Sequence, residues 1–276
     1  MTDEPTADTP RVAVLGGGVM GETLLSALLT AGWTAEQVEV TERYAPRAEE
    51  LAARYGVRTG SSNAEAAARA VVVLLAVKPN VVASVLDEIK DALRGGELVV
   101  SVAAGLPIAS YEKRLNPAQP VVRVMPNTPA VVGKGASAIA PGTHASEGHL
   151  ALVEKMLGAT GLVVRVEEKD LDAVTAISGS GPAYAFYLID AMAEAGVLLG
   201  LTRDLATKLA VATVEGSAAL AAQSGDHPAV LRERVSSPGG TTVAAVQVLD
   251  AHGVRAGVVA AAEAARDRSR ELGKQY

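Results

Sequence analysis

The run Arg11-Val12-Ala13-Val14-Leu15-Gly16-Gly17-Gly18-Val19-Met20-Gly21 decides the fold of this chain. Its first five residues read as a short buried strand that passes directly into a glycine-rich turn. Beyond the turn, Leu24, Leu25, Leu28 and Leu29 recur at helical spacing. Three glycines have separate physical tasks. Gly16 allows the tight turn, Gly18 lets backbone approach a pyrophosphate, and Gly21 lets the helix lie close to the strand. A bare glycine pattern is weak evidence, but here a strand precedes it and a helix follows. A second strand at Val38 to Thr41 completes a βαβ unit of the kind that binds dinucleotides.

Further along, strand-like runs at Val57 to Thr59, Val71 to Val77, Leu98 to Val102, Val121 to Met125 and Ser137 to Ala140 alternate with helical stretches. This is the pattern of a doubly wound α/β sheet. One more strand, Leu162 to Val166, precedes a change of character. From Leu171 onward alanine-rich helical periodicity replaces strands, which places a boundary near Glu167. The expected organisation is a disordered tail over 1–10, a Rossmann-type α/β domain over 11–166 and an all-helical domain over 167–276. If continuous, a helix from Leu171 to Leu199 would be about 43 Å long, against roughly 34 Å for the width of a domain this small. Such a helix calls for a partner subunit, with a kink at Gly179 to Pro182. The competing reading is one bent helix packed within a monomer.

Composition narrows the function classes. The chain has 276 residues, 49% hydrophobic and 20% charged, enough for one large core or two smaller ones. A net charge of −6 with scattered Lys and Arg argues against a nucleic-acid surface. The longest apolar stretch, Ala70 to Val77, falls far short of the roughly 20 residues that cross a bilayer, so no membrane span is expected. Met1 to Pro10 is polar and acidic and lacks the apolar core of a signal peptide. The cytoplasm is the default compartment. Without cysteine there is no thiolate nucleophile and no disulfide. His144, His149, His227 and His252 form no pair at metal-ligand spacing, and no metal site is expected.

Two later segments place flexible, hydroxyl-rich backbone beside a helix: Ser178-Gly179-Ser180-Gly181-Pro182-Ala183-Tyr184 and Val235-Ser236-Ser237-Pro238-Gly239-Gly240-Thr241-Thr242. The second is sharper. Pro238 and two glycines leave amides unpaired where Thr241 or Thr242 opens a helix running to about Asp250, and a helix start of this kind binds carboxylate or phosphate. Taken alone, Gly-Gly-Thr reads more readily as an ordinary turn between helices.

Together these segments resemble the pyrroline-5-carboxylate reductase family over Val12 to Leu272. The resemblance rests on the Gly16 to Gly21 turn, Ala76-Val77-Lys78-Pro79, Val102-Ala103-Ala104-Gly105, Met125-Pro126-Asn127-Thr128-Pro129, the Ser178 to Tyr184 segment, and the run from Pro228 through Thr242 to Asp250. It implies hydride transfer from a reduced nicotinamide to the C=N carbon of a cyclic imine, giving L-proline. For the substrate, it implies that the amides of Gly239, Gly240 and Thr241 hold the carboxylate and that the Thr242 hydroxyl bonds the ring nitrogen. Glu168 and Ser237 would border the pocket, although Glu168 reads almost as well as a solvated residue of the charged run 167–170. Tyr184 would pack on the substrate ring or in the core. For the cofactor, it implies contacts from Gly16, Gly17, Gly18, Val19, Met20 and Gly21, from Ala76, Val77, Lys78 and Pro79, from Val102, Ala103 and Ala104, from Asn63 near the adenosine, and from Arg43. The second strand ends in Thr41-Glu42-Arg43, where an acid suits a free ribose hydroxyl and Arg suits a 2′-phosphate. Arg43 tips the expectation to NADPH, with NADH as the alternative donor. A homodimer through the helical domain, and a ring of such dimers, are the assemblies that the resemblance implies.

Two other classes fit the sequence less well. A β-hydroxyacid dehydrogenase would carry a lysine on the long helix, and no lysine lies between Leu171 and Leu199. A non-catalytic nucleotide-sensing protein would have no need of the Ser237 to Thr242 loop, which is intact.

Overall fold

Alternation along the first strand shows how the sheet is layered. Val12 and Val14 belong to one buried cluster and Ala13 and Leu15 to another, so both faces of the strand are covered. A strand covered on both faces reads as an unbroken apolar run, which is why it stood out in the sequence. The computed structural model describes residues 9–274. Most of the N-terminal tail expected over 1–10 therefore lies outside the described residues. Thr9 and Pro10 are tied down, however: the Pro10 carbonyl accepts from the Trp33 indole at 2.8 Å and the Thr9 carbonyl from the Gln37 amide at 2.6 Å.

Eight strands follow in chain order: β1 (Val12–Leu15), β2 (Val38–Thr41), β3 (Arg58–Gly60), β4 (Val72–Leu75), β5 (Leu98–Ser101), β6 (Val121–Met125), β7 (Gly135–Pro141) and β8 (Gly161–Arg165). They form one sheet of order β3-β2-β1-β4-β5-β6-β7-β8. All neighbours are parallel except β6 and β7, which pair antiparallel. The first helices are α1 (Val19–Thr30), α2 (Ala45–Tyr55), α3 (Asn63–Arg69), α4 (Pro79–Ile89), α5 (Ile108–Glu112) and α6 (Glu147–Leu157). Leucines of α1, Leu51 of α2 and the apolar face of α6 cover one side of the sheet. Helices α3, α4 and α5 cover the other. Each fully buried Val or Leu contributes about 1.5–3 kcal/mol, so the sandwich is held chiefly by these two apolar layers.

The long helix expected from Leu171 is broken. α7 (Leu171–Val174) passes into a π-helical turn, Thr175–Gly179, and α8 (Gly181–Leu198) restarts with Pro182 in its first turn. A proline has no N–H to give to the preceding turn and ends it. Asn127, in the loop after β6, repairs the break: its Nδ2 donates to the Ser178 carbonyl at 3.1 Å while its Oδ1 accepts the Ala136 N–H at 2.8 Å. Asn127→Ala is expected to cost about 2 kcal/mol by stranding both partners, which lowers Tm by roughly 4–8 °C. Thermal unfolding checks this, and an unchanged Tm would remove the role.

Four more helices complete the chain: α9 (Arg203–Ser224), α10 (Pro228–Arg234), α11 (Thr241–Ala251) and α12 (Val254–Gly273). By packing, residues up to Gly179 together with those from Arg266 onward form one compact unit, and Ser180–Ala265 form a second. The end of α12 is fastened to the first unit through Ser269, whose hydroxyl donates to Asp172 at 2.7 Å. The composition change near Glu167 marks where strands stop, whereas packing divides the chain at the helix break. In the second unit α8 and α9 meet through small residues, Ala193, Ala206 and Ala210, with Gly196 so close to Ala206 that a side chain would collide. Histidines serve as local caps: His149 Nδ1 accepts the Ser146 N–H at 3.0 Å and His227 Nδ1 that of Ala229 at 3.2 Å.

By length and composition alone α9 is apolar enough to cross a membrane, although no unbroken apolar run in it is long. Large apolar side chains are exposed throughout the second unit, among them Phe186 at 64%, Tyr187 at 80%, Leu198 at 84% and Leu199 at 85%.

Candidate active site

The glycine-rich turn sits where β1, β2 and β4 end. The Gly16 N–H donates to the Thr41 carbonyl at 3.0 Å, and the Leu15 carbonyl accepts from Ala76 at 2.9 Å. Gly16 has φ +106°, and a Cβ there would lie 2.8 Å from the Ala76 carbonyl oxygen. At Gly21 a Cβ would lie 1.9 Å from the Gly16 oxygen, so helix and turn are in direct backbone contact. Gly18 is the opposite case. Nothing lies within 4 Å of the place its Cβ would take, which leaves that face open to a ligand. The first bond of α1 is from Glu22 N–H to the Gly18 carbonyl, so the amides of Val19, Met20 and Gly21 have no partner among the described residues. Unpaired amides at a helix start carry partial positive charge and suit phosphate.

A groove of about 400 Å³ opens beside this turn, lined by Gly16, Gly18, Thr41, Glu42, Arg43, Asn63 and Ala76 to Lys78, with Ser61, Val81 and Val85. Arg43 is exposed and makes no ion pair among the described residues. Asn63 is locked in place. Its Oδ1 accepts the Thr41 hydroxyl at 2.6 Å and its Nδ2 donates to Glu88 at 2.9 Å, so its orientation on the groove wall is fixed while one N–H and one lone pair remain. Thr41, Ser61, Val81 and Val85 were not singled out from the sequence. Thr41 ends β2 and the other three follow β3 or lie on α4, so only strand order places them together.

Gly17 departs from expectation. It is buried, its N–H donates to Glu42 Oε2 at 3.2 Å and its carbonyl accepts from Arg47 Nε at 2.9 Å, so its amide is not free for a cofactor. Arg47 is in turn paired with Glu22. Partial burial works to raise the Glu22 carboxyl, but hydrogen bonds from Arg47 and Tyr55 and the charges of Arg47 and Arg54 outweigh it and hold the group below the usual carboxylate range. Ala103 is buried in the core with its N–H on the Ser101 hydroxyl at 3.3 Å, Val102 packs against the other core layer, and Ala104 is exposed. These three and Pro79 do not line the groove.

In the second unit, Ser237-Pro238-Gly239-Gly240 closes a turn through Gly240 N–H to the Ser237 carbonyl at 2.9 Å, with Gly239 at φ +70°. Pro at the second position and a positive-φ glycine at the third are what a type II turn requires. Gly240 then caps α11 at φ −79°, ψ 170° with no side-chain cap. The Gly240 amide, expected on the substrate, is thus used by the turn. Among the described residues the Thr241, Thr242 and Val243 amides are left unpaired at the helix start, because the first α11 bond is from Ala244 N–H to the Gly240 carbonyl. Val243 joins the donor set, which the sequence did not suggest because the turn bond was not visible there. The Thr242 side chain is half-exposed, and its hydroxyl has no partner among the described residues. The Tyr184 hydroxyl is buried without a partner among the described residues.

Glu168 is bound up with the sheet unit. Its Oε1 accepts the Ile108 N–H at 2.6 Å, at the start of α5, and the guanidinium of the buried Arg123 at 3.1 Å. That geometry anchors Oε1 to the sheet unit and leaves Oε2 without a partner among the described residues. Ser178 is similarly engaged, its hydroxyl on the Val174 carbonyl at 3.0 Å.

A doubly wound sheet whose glycine turn presents free amides to a groove, followed by a helical unit, defines the class of nicotinamide-dependent oxidoreductases. A family model described as NADP oxidoreductase, coenzyme F420-dependent, matches residues 11–105, and one described as pyrroline-5-carboxylate reductase dimerisation matches residues 168–272. The chain is 47% identical to a pyrroline-5-carboxylate reductase of Corynebacterium melassecola, over 95% of this chain and 98% of that one. A solved pyrroline-5-carboxylate reductase of Coxiella burnetii superposes with TM-score 0.92 at 36% identity, covering 96% of this chain and 98% of that one. The Plasmodium falciparum pyrroline carboxylate reductase with NADP bound superposes with TM-score 0.86 at 30% identity, covering 97% and 100%. The chain belongs to the pyrroline-5-carboxylate reductase family.

Proposed function

We propose that this chain reduces the cyclic imine 1-pyrroline-5-carboxylate to L-proline with NADPH as reductant, the last step of proline biosynthesis. The observation that carries the substrate half is the α11 start, where the amides of Thr241, Thr242 and Val243 and the Thr242 hydroxyl have no partner among the described residues. These donors suit a small carboxylate, and Gly239 and Ser237 stand exposed in the turn beside them. For the cofactor, the open face at Gly18, the amides of Val19, Met20 and Gly21, and Lys78 at the groove fit a pyrophosphate.

When bound, the dinucleotide supplies a hydride to the imine carbon. The chain's own task is placement. A cyclic imine arrives protonated at nitrogen, so no strong protein acid is needed, and the Thr242 hydroxyl accepts that N–H and sets which ring face is presented. The helix start holds the carboxylate, and the electron pair of the C=N bond ends on nitrogen in the product amine. Oxidation of NADPH by the purified protein with pyrroline-5-carboxylate tests the reaction; binding of NADPH without turnover would overturn it.

Arg43, exposed at the groove, is the residue we assign to the 2′-phosphate. Arg43→Ala is expected to raise KM for NADPH about tenfold or more and leave that for NADH unchanged, since only the first loses a charge-assisted bond. Equal effects on both would remove the assignment.

The exposed apolar side chains of the second unit support a homodimer formed through the helices, and association of such dimers into a ring as a higher assembly. Light scattering is expected to give at least twice the 28.1 kDa of one chain. Val258→Asp, a charge placed in the exposed apolar face of α12, is expected to yield an inactive monomer, because an unpaired carboxylate buried at an interface costs several kcal/mol. A dimer of unchanged mass would place the contact elsewhere. The cytoplasm is the compartment we propose, where reduced nicotinamide nucleotides are held for biosynthesis.

A further inference from the structure

We propose that Glu42 is a positioning residue that holds the glycine-rich loop in its nucleotide-binding shape and does not read the adenosine ribose. The residue stands just past the end of β2 on the groove wall, where an acid ordinarily accepts a bond from the ribose 2′-hydroxyl. In this chain both carboxylate oxygens are already committed to backbone. Oε2 accepts the Gly17 N–H at 3.2 Å and Oε1 the Tyr44 N–H at 3.0 Å. Its own N–H is held by the Gly60 carbonyl of β3 at 2.9 Å, which fixes the residue to the sheet.

The opposite side of the same glycine is held by the opposite charge. Arg47 Nε donates to the Gly17 carbonyl at 2.9 Å, and Arg47 is anchored by Glu22 and by Glu50 at 2.8 Å. Gly17 is therefore gripped at its N–H by a carboxylate on the loop after β2 and at its C=O by a guanidinium on α2. Side-chain packing closes the grip: a Cβ on Gly17 would lie 2.7 Å from Leu51 Cδ1 and 3.3 Å from Glu42 Cβ. The middle glycine of the turn is thus a clamped hinge pin between Gly16, pinned against Ala76, and Gly18, which is open. A loop held this way enters binding already shaped, so the ordering cost of gripping a pyrophosphate falls. Each Glu42 oxygen has one lone pair on a backbone N–H and is directed at the loop, and the uncommitted guanidinium of Arg43 is the group we assign to the 2′ position.

The inference rests on dinucleotide binding and not on imine chemistry, so it can fail while the reductase reading stands, and turnover assays judge the latter separately. The test measures binding to the apoprotein by calorimetry, with NADH and with its analogue carrying 2′-deoxyadenosine. The clamp predicts that the wild-type protein binds the two within about twofold, whereas a ribose-reading acid predicts a loss of about tenfold for the deoxy analogue. Glu42→Ala is expected to weaken both ligands by one common factor of about ten, and to speed hydrogen exchange at the Gly17 amide by a similar factor. Glu42→Gln, which keeps one acceptor oxygen, is expected to fall between, and serves if the alanine variant does not fold. A tenfold preference of the wild type for NADH over the deoxy analogue would overturn the proposal. So would unchanged NADH affinity and unchanged Gly17 exchange in Glu42→Ala.

Discussion

Gly21→Ala is expected to abolish dinucleotide binding and to lower stability by about 3 kcal/mol, the upper end of what overpacking costs. The added methyl would be placed 1.9 Å from the Gly16 carbonyl oxygen. Relief by moving Gly16 is closed off, because that residue is itself against the Ala76 backbone and at a φ of +106°. Relief by tilting α1 would pull Leu24, Leu25 and Leu28 out of the core layer they share with β1 and β2. Thermal unfolding and titration with NADPH measure the two effects together. Gly18→Ala is the control: with nothing within 4 Å of its Cβ it should keep Tm while obstructing the pyrophosphate. If Gly21→Ala bound NADPH as the parent does, the tight contact between turn and helix would be irrelevant to the site.

Thr242→Ala is expected to reduce kcat/KM by about 10–100-fold, or roughly 1.4–2.8 kcal/mol, with NADPH affinity and Tm retained. The hydroxyl has no partner among the described residues, and Gly240 rather than Thr242 caps the helix, so its removal leaves no protein group stranded. A threonine that merely capped α11 would behave differently, costing about 1 kcal/mol of stability with turnover intact. Steady-state kinetics beside a melting curve separate the two roles. Thr242→Ser, which keeps the hydroxyl, should recover most of the rate.

The legible part of the site was the part built from neighbours in the chain. The glycine turn before Val19 and the unpaired amide at Thr241 follow from glycine and proline beside a helical pattern, and both helix starts are where that pattern puts them; the Thr242 amide was not read from it. Hidden parts were those in which a distant group had taken a donor. The Gly17 amide reads as available until Glu42, 25 residues on, is seen to accept it. Glu168 Oε1 reads as free until Ile108, 60 residues away, is found donating to it. Even the long helix is a case of this kind. Its break was signalled by Gly179 to Pro182, but the π-helical turn is completed by Asn127, 51 residues from Ser178.

What the sequence by itself determined was the α/β architecture, the glycine turn and the helix start at Thr241, together with the family. Each depends on steric and hydrophobic patterns spanning at most a few turns of chain, such as the continuous apolar run of a strand covered on both faces. Tertiary structure alone decided which polar atoms remain free. An amide or carboxylate is a candidate ligand only if no other group has reached it first. At Gly17, Glu42, Glu168 and Asn127 that is settled by parallel strand order and helix packing, which bring together residues remote in the chain.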